Sequence, residues 1–175
     1  MKPLRISAGF DVRLSSVIDH YLINASRTSR HGDRAMQTLQ VTYLNIELLR
    51  PSVSNPRTHS RRQKEQLARA IQRFGFTVPI VVDEEGAILA GHARVEAART
   101  LGMGEVPTIQ LADMSGADKR AYVIADNKLA QNAGWDPALL KAEFEFLTTL
   151  DFDFDVAVTG FELPEIEGLL FGGGD

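Results

Sequence analysis

The sequence predicts an α/β (α+β) domain followed by a helical extension, and three observations carry that expectation. Short apolar runs alternate with stretches of helical period between Val41 and Leu129. Helix-opening pairs (Ser60 with Gln63, Ser115 with Asp118) and glycine stops at Gly75 and Gly102 punctuate that alternation. At Ala87-Ile88-Leu89-Ala90-Gly91-His92-Ala93-Arg94 an apolar strand runs into a glycine, and a helix begins at once. A chain of 175 residues suffices for one domain core with appendages. The absence of cysteine excludes a disulfide framework, a thiolate metal site and a cysteine nucleophile. No apolar run approaches the roughly 20 residues that cross a bilayer, and Met1 to Ile6 lacks the apolar core of a secretory signal. A cytoplasmic setting without membrane contact is expected.

Taken in order, residues 1–40 read as a flexible arm, polar and mildly basic from Asn24 to Arg34. Within the arm, Val17 to Ile23 reads equally as a short helix or a strand. The organised part starts at Val41, with Val41-Thr42-Tyr43 a strand and Ile46 to Leu49 an apolar connection. Pro51 and Pro56 force an extended path through Asn55-Pro56-Arg57. Ser60 and Gln63 open a helix whose apolar stripe is Leu67, Ala70, Ile71 and Phe74, closed by Gly75. Val78 to Val82 and Ala87 to Ala90 form a hairpin about Asp83-Glu84-Glu85-Gly86. A helix from His92 to Leu101, a strand from Val106 to Leu111 and a helix from Ser115 to about Leu129 complete the domain, 41–133.

After Gly134 the character changes to an acidic helical extension, 134–171. Asp136-Pro137 starts a helix expected to bury Leu139, Leu140, Phe144, Leu147 and Leu150. Phe152, Phe154, Val156 and Val158 alternate as in a half-buried strand, and Pro164 to Leu170 reads as a last helix. Trp135 is expected to anchor this module by packing. Residues 172–175 read as a flexible end.

The net charge of −4 hides a polarity along the chain. From Arg50 to Phe74 the cations Arg50, Arg57, Arg61, Arg62, Lys64, Arg69 and Arg73 face the single acid Glu65. From Gly134 onward the acids face Lys141 alone. Two readings are open: an anion-binding face with a separate acidic module, or two blocks that neutralise each other within the fold. Arg61, Arg62, Lys64, Arg69 and Arg73 are accordingly either a phosphate-tracking surface for DNA or a solvated helix face.

The strand–glycine–helix junction has its own chemistry. A helix N-terminus points backbone N–H groups at one spot, and an arginine in the first turn adds a guanidinium that grips phosphate oxygens in pairs. His92 in that turn can donate to phosphate, act as a general acid or base near neutral pH, or bond within its own turn. Arg94 reads as a phosphate contact or as a surface partner of Glu96 or Glu85. Asp126 and Asn127 read as metal ligands or as residues closing a helix.

Four segments occur in a telling order: Asn55-Pro56-Arg57, Gly75-Phe76-Thr77-Val78-Pro79-Ile80, Gly91-His92-Ala93-Arg94 and Ala125-Asp126-Asn127-Lys128. From Val41 to Ala133 they resemble the N-terminal domain of the ParB family and, more broadly, the ParB/sulfiredoxin superfamily. The particular wording resembles ParB-like domains of phages and bacteria, several of which precede a DNA methyltransferase domain. The resemblance implies a small mixed sheet with surrounding helices. It also implies a nucleoside triphosphate, CTP or ATP, held with Mg²⁺ on or beside DNA. By position Arg57, Gly75, Thr77, Gly91, His92 and Arg94 would hold nucleotide and phosphate, and Asp126 and Asn127 the metal.

The chain departs from the ParB pattern where His92 replaces a glutamate, and Ala93 and Glu96 replace arginines. Fewer positive charges weaken a triphosphate grip. His92 also fills the cysteine position of sulfiredoxin, which rules out sulfinic-acid reduction through that cysteine. Three functions follow as expectations. The first is nucleotide binding with possible hydrolysis (an NTPase). The second is a metal-dependent nuclease or small-substrate kinase, with His92 or Glu96 as its base. The third is a non-catalytic module recruiting DNA, a methyltransferase or a second copy of itself as a homodimer.

Overall fold

Alternation of inward and outward side chains fixes how the strands assemble. The computed structural model describes residues 38–150, without the side chain of residue 150, and 154–172. The expectations for residues 1–37, for Phe152 and for the last three residues lie outside them. Four strands, β1 (Val41–Asn45), β2 (Ile80–Val82), β3 (Ile88–Ala90) and β4 (Glu105–Gln110), form one sheet in the order β1-β4-β2-β3. The sheet is mixed, as the ParB resemblance implies: β1 runs antiparallel to β4, β2 parallel to β4, and β2 and β3 form the expected antiparallel hairpin.

One sheet face carries the core. Ile80, Val82, Ile88 and Val106 point onto it and pack with Ile46, Leu49, Val95 and Ala98. Thr108 is fully buried on that face, and its hydroxyl donates to the Thr42 carbonyl at 2.9 Å across the β1–β4 pair. The polar group is thereby satisfied where an orphan would be costly. β2 begins at Ile80, two residues later than expected from the apolar run, because Pro79 has no N–H for the ladder and Val78 is exposed.

Helices α1 (Arg61–Phe74), α2 (His92–Thr100) and α3 (Gly116–Gln131) surround the sheet. Ser60 Oγ accepts from Gln63 N at 3.1 Å, giving α1 the first half of the expected capping box. The Gln63 side chain turns instead to His59 Nδ1, at 3.0 Å. On α1 the buried residue is Ala68, while Leu67, Ala70 and Ile71 are half-buried and Phe74 is exposed. The apolar stripe read from the sequence is therefore rotated. α1 meets the small residues of α2, and an alanine allows the closer approach. The Ser115–Asp118 capping box is complete, and α3 runs past Leu129 to Gln131.

The position of α3 matters for the site, and one ion cluster pins it. Lys119 Nζ donates to Asp83 Oδ2 at 2.9 Å and to Glu84 Oε2 at 3.0 Å in the β2–β3 turn. Asp83 Oδ1 also accepts from Glu85 N and Ala87 N, closing the turn.

α4 (Pro137–Leu150) and α5 (Leu163–Phe171) make up the extension. Asp136 caps α4 as expected, accepting from Ala138 N and Leu139 N. Phe144 is buried, Leu140 and Leu147 are half-buried, and Leu139 is exposed rather than buried. The expected strand through Val156 and Val158 is instead a 3₁₀ turn, Val156–Thr159, against α1. Asp155 caps that turn by accepting from Ala157 N at 3.0 Å, and Gly160 leaves it with φ of 89°. Two such end signals five residues apart favour a tight turn over an extended run. Trp135 packs edge-on to Phe161 at 5.4 Å, and Phe161 meets Phe144.

Burial pushes the Asp83 carboxyl up, but the hydrogen bond from Lys119 and those from the Ala87 and Glu85 backbone outweigh it and hold it below the usual carboxylate value. A lowered carboxyl stabilises the fold in full above its unfolded value, about 4, and that contribution is lost as pH falls through the folded value. Asp83→Asn should therefore melt below wild type at neutral pH. The two melting curves should converge under acid, in thermal melts followed from pH 7 to pH 2.

Candidate functional site

The β3–α2 junction is set by one glycine. Gly91 has φ of 97° and ψ of 20°, a left-handed conformation that turns the chain directly from strand into helix. It offers α2 no side-chain cap, so the first-turn N–H groups face the adjoining space. A Cβ there would stand 2.8 Å from Ile80 Cδ1 and 3.0 Å from Arg94 Nη2. The Arg94 guanidinium thus lies against the glycine, over the turn that precedes it.

An open cleft of about 200 Å³ occupies that space. Ala90 to Arg94 form one wall, Arg57 and His59 a second, and Asp126, Asn127 and Ala130 of α3 a third. Gln63 and Leu67 of α1 close it. A neighbouring groove of about 190 Å³ is lined by Gly75, Phe76, Thr77 and Val78, and Arg94 borders both spaces. The structure therefore brings Arg57, Gly91, His92, Arg94, Asp126 and Asn127 into one cleft, with Gly75 and Thr77 beside it. His59 and Ala130 belong to the same lining without having been singled out from the sequence, and Gln63 was read there only as a helix-opening residue. Ala130 follows Asp126 by four residues, a spacing that places both on one helix face.

Arg94 is half-buried, and its Nη2 donates to the Pro79 carbonyl at 3.3 Å. Its Nε is buried and has no hydrogen-bond partner among the described residues. Burial pushes the guanidinium down from its usual value, while Asp126 and then Tyr122 draw it back. The alternative surface pairing fails, because Glu85 pairs with Arg50 and Glu96 with Arg99 at 3.0 Å and Lys64 at 3.7 Å. Glu96, expected as a candidate base, ties α1 to α2 and is not among the residues lining the cleft.

His92 Nε2 accepts from Ser52 N at 3.2 Å, a long-range bond to the 51–60 segment rather than one within its own turn. Burial holds the imidazole below its ordinary value, and the nearby His59 adds to that. Asn127 lies inside α3, so it does not close the helix; its Nδ2 donates to Val123 O at 2.7 Å, leaving Oδ1 as the remaining acceptor. Arg57 Nη1 donates to the Asn127 carbonyl at 3.1 Å.

The cations of α1 are mostly engaged within the fold. Arg61 pairs with Glu65 at 2.8 Å, Arg62 with Glu162, and Lys64 with Glu96. Arg73 lies over the Phe154 ring at 5.4 Å. Gln66 Nε2 donates to the Gly160 carbonyl and to Glu162 Oε1, both at 2.9 Å. The basic and acidic blocks thus neutralise each other in part, through the extension seated on α1.

The ParB N-terminal domain family matches residues 30–127, more than half of the chain. This chain belongs to that family. It is 42% identical over 84 residues to the ParB-like nuclease domain-containing protein YnaK of Escherichia coli (strain K12), covering 48% of this chain and 97% of YnaK. It is 28% identical over 97 residues to the probable chromosome-partitioning protein ParB of Rickettsia bellii (strain RML369-C), covering 55% of this chain but only 31% of that ParB. Among solved structures, the C-terminally truncated chromosome-partitioning protein ParB from Caulobacter crescentus, complexed with CTP-gamma-S, matches with a TM-score of 0.61 at 21% identity. That match covers 74% of this chain and 76% of the Caulobacter chain. At that identity the likeness establishes the ParB fold. No helix among the described residues is long and apolar enough to cross a membrane.

Gly91→Ala should cost about 2 kcal/mol or more of stability, combining the left-handed backbone penalty of roughly 1–2 kcal/mol with the clash against Ile80. Urea unfolding of the variant checks this; a loss under about 0.5 kcal/mol would mean that the junction tolerates a side chain.

Proposed function

We propose that this ParB-family domain binds the polyphosphate of a nucleoside triphosphate in the cleft at the start of α2. The observation that carries the reading is the buried, unpartnered Nε of Arg94, set beside a helix N-terminus whose cap is a glycine. A buried donor without an acceptor is costly, and a turn of the guanidinium toward an anionic oxygen in the cleft would satisfy it. First-turn N–H groups and the positive end of the helix dipole favour the same ligand. Arg57 adds a second guanidinium with one N–H spent on Asn127 and the others available. The adjoining groove at Gly75 to Val78, reached past Arg94, offers apolar walls for the rest of a nucleotide to lie against.

The donor set also fits Mg²⁺ brought in with the phosphates. Among the described residues no cluster of three or more His, Asp or Glu side chains forms a metal cage. Asp126 and the Asn127 Oδ1 supply hard oxygens on the wall facing Arg94, and Mg²⁺ commonly takes one or two protein oxygens together with phosphates and water. Bound there, the cation would neutralise phosphate charge. CTP is the first nucleotide to test, because the fold-matched Caulobacter protein is complexed with a CTP analogue.

A nuclease or small-substrate kinase needs a general base, and the cleft gives that reading less support. The His92 Nε2 lone pair is already taken by Ser52 N–H, and Glu96 is held between Lys64 and Arg99. DNA contact by Arg62 and Arg73 would compete with their contacts to Glu162 and Phe154 of the extension. Isothermal titration of CTP, ATP and GTP, with and without Mg²⁺, should show Mg²⁺-dependent binding of one of them to wild type. Arg94→Ala should weaken that binding at least 30-fold, about the worth of one charge-assisted contact at roughly 2 kcal/mol. Equal affinity of the variant would contradict the site.

A further inference from the structure

Residues 51–60 cross from the 3₁₀ turn Ile46–Leu48 to α1 with no regular secondary structure, yet they are fastened. Asn55 N donates to the Ser52 carbonyl at 3.2 Å, and Arg57 N to Asn55 Oδ1 at 3.1 Å. Ser54 N donates to Ser52 Oγ at 3.4 Å. These bonds make Ser52 to Arg57 one folded strap. It is tied to the cleft at two points, by Ser52 N to His92 Nε2 and by Arg57 Nη1 to the Asn127 carbonyl.

We infer that His92 is a positioning residue, the latch that holds the strap down and so places Arg57 at the phosphate site. The inference deepens the nucleotide reading and rests on it. In this role His92 is neither the general base nor a phosphate donor. Accepting at Nε2 requires the neutral imidazole with its proton on Nδ1, so the lone pair that a base would use is occupied. The surroundings support that state. Arg57 from the strap, His59 ahead of α1 and Arg94 two residues along α2 face the cleft, against Asp126 from α3. The N-terminus of α2 also disfavours an imidazolium in its first turn.

The test pairs a measurement without nucleotide with one that uses it. Amide exchange at Ser52 is followed by NMR in the full chain for wild type, His92→Gln, His92→Arg and His92→Ala, and CTP with Mg²⁺ is titrated into each. A glutamine oxygen can accept where Nε2 did, whereas arginine only donates. His92→Gln should keep Ser52 protected and bind CTP nearly as wild type does. His92→Arg and His92→Ala should lose the protection and bind about fivefold more weakly, the worth of one ordinary hydrogen bond. Unchanged Ser52 exchange in His92→Ala overturns the latch. Binding by His92→Arg at or above wild-type strength overturns it in favour of a phosphate donor. CTP turnover that disappears in His92→Gln at unchanged affinity overturns it in favour of a base. Ser52 protection that follows the variant series in a chain binding no nucleotide supports the latch and refutes the nucleotide reading instead.

Discussion

The fold and the candidate site both depend on the left-handed backbone at Gly91. That single residue lets β3 become α2 without a loop, so the sheet edge and the helix N-terminus share one corner. The missing Cβ then leaves the space that the Arg94 guanidinium occupies, with Ile80 closing the other side. Any larger residue would have to displace either the core or the arginine. Packing constraint and the proposed binding chemistry meet at this one residue.

The rest of the domain delivers partners to that corner. Lys119 bridges Asp83 and Glu84, holding α3 to the hairpin and bringing Asp126 and Asn127 across from Arg94. Glu96, between Lys64 and Arg99, ties α1 to α2 and keeps Gln63 and Leu67 in place as a wall. The strap from Ser52 to Arg57 supplies Arg57 to the wall it shares with His59. The exposed pair Glu96–Arg99 and the longer Lys64–Glu96 contact contribute little stability one by one, so their value here is geometric. The extension occupies the outer side of α1 through Glu162 and Phe154, and it draws on charges that a DNA surface would need.

Much of this was legible in the residues because the signals were local. Ser60, Ser115 and Asp136 cap the helices they were expected to cap, and the turn at Asp83 to Gly86 pairs the strands expected to pair. The ParB family, shown by the match over residues 30–127, was readable from motif order where no single motif would have been decisive. What escaped reading depends on distant partners. The alternation of Phe154, Val156 and Val158 looks like a strand, but Asp155 and Gly160 close a 3₁₀ turn that buries Val158 against α1. The true burial on α1 falls on Ala68 because α2 presents alanines there. Nothing in the first turn of α2 announces that His92 would bond to Ser52, forty residues earlier.

Arg94 holds an unspent donor, proposed to meet an anionic oxygen. The most direct measurement is the ¹⁵N–¹H resonance of Arg94 Nε, followed while CTP and Mg²⁺ are added to the full chain. A downfield proton shift and slowed exchange are expected at that one guanidinium as the site fills and its N–H acquires a charged acceptor. Saturation with nucleotide that leaves the Arg94 resonance in place, while other arginines shift, would contradict it.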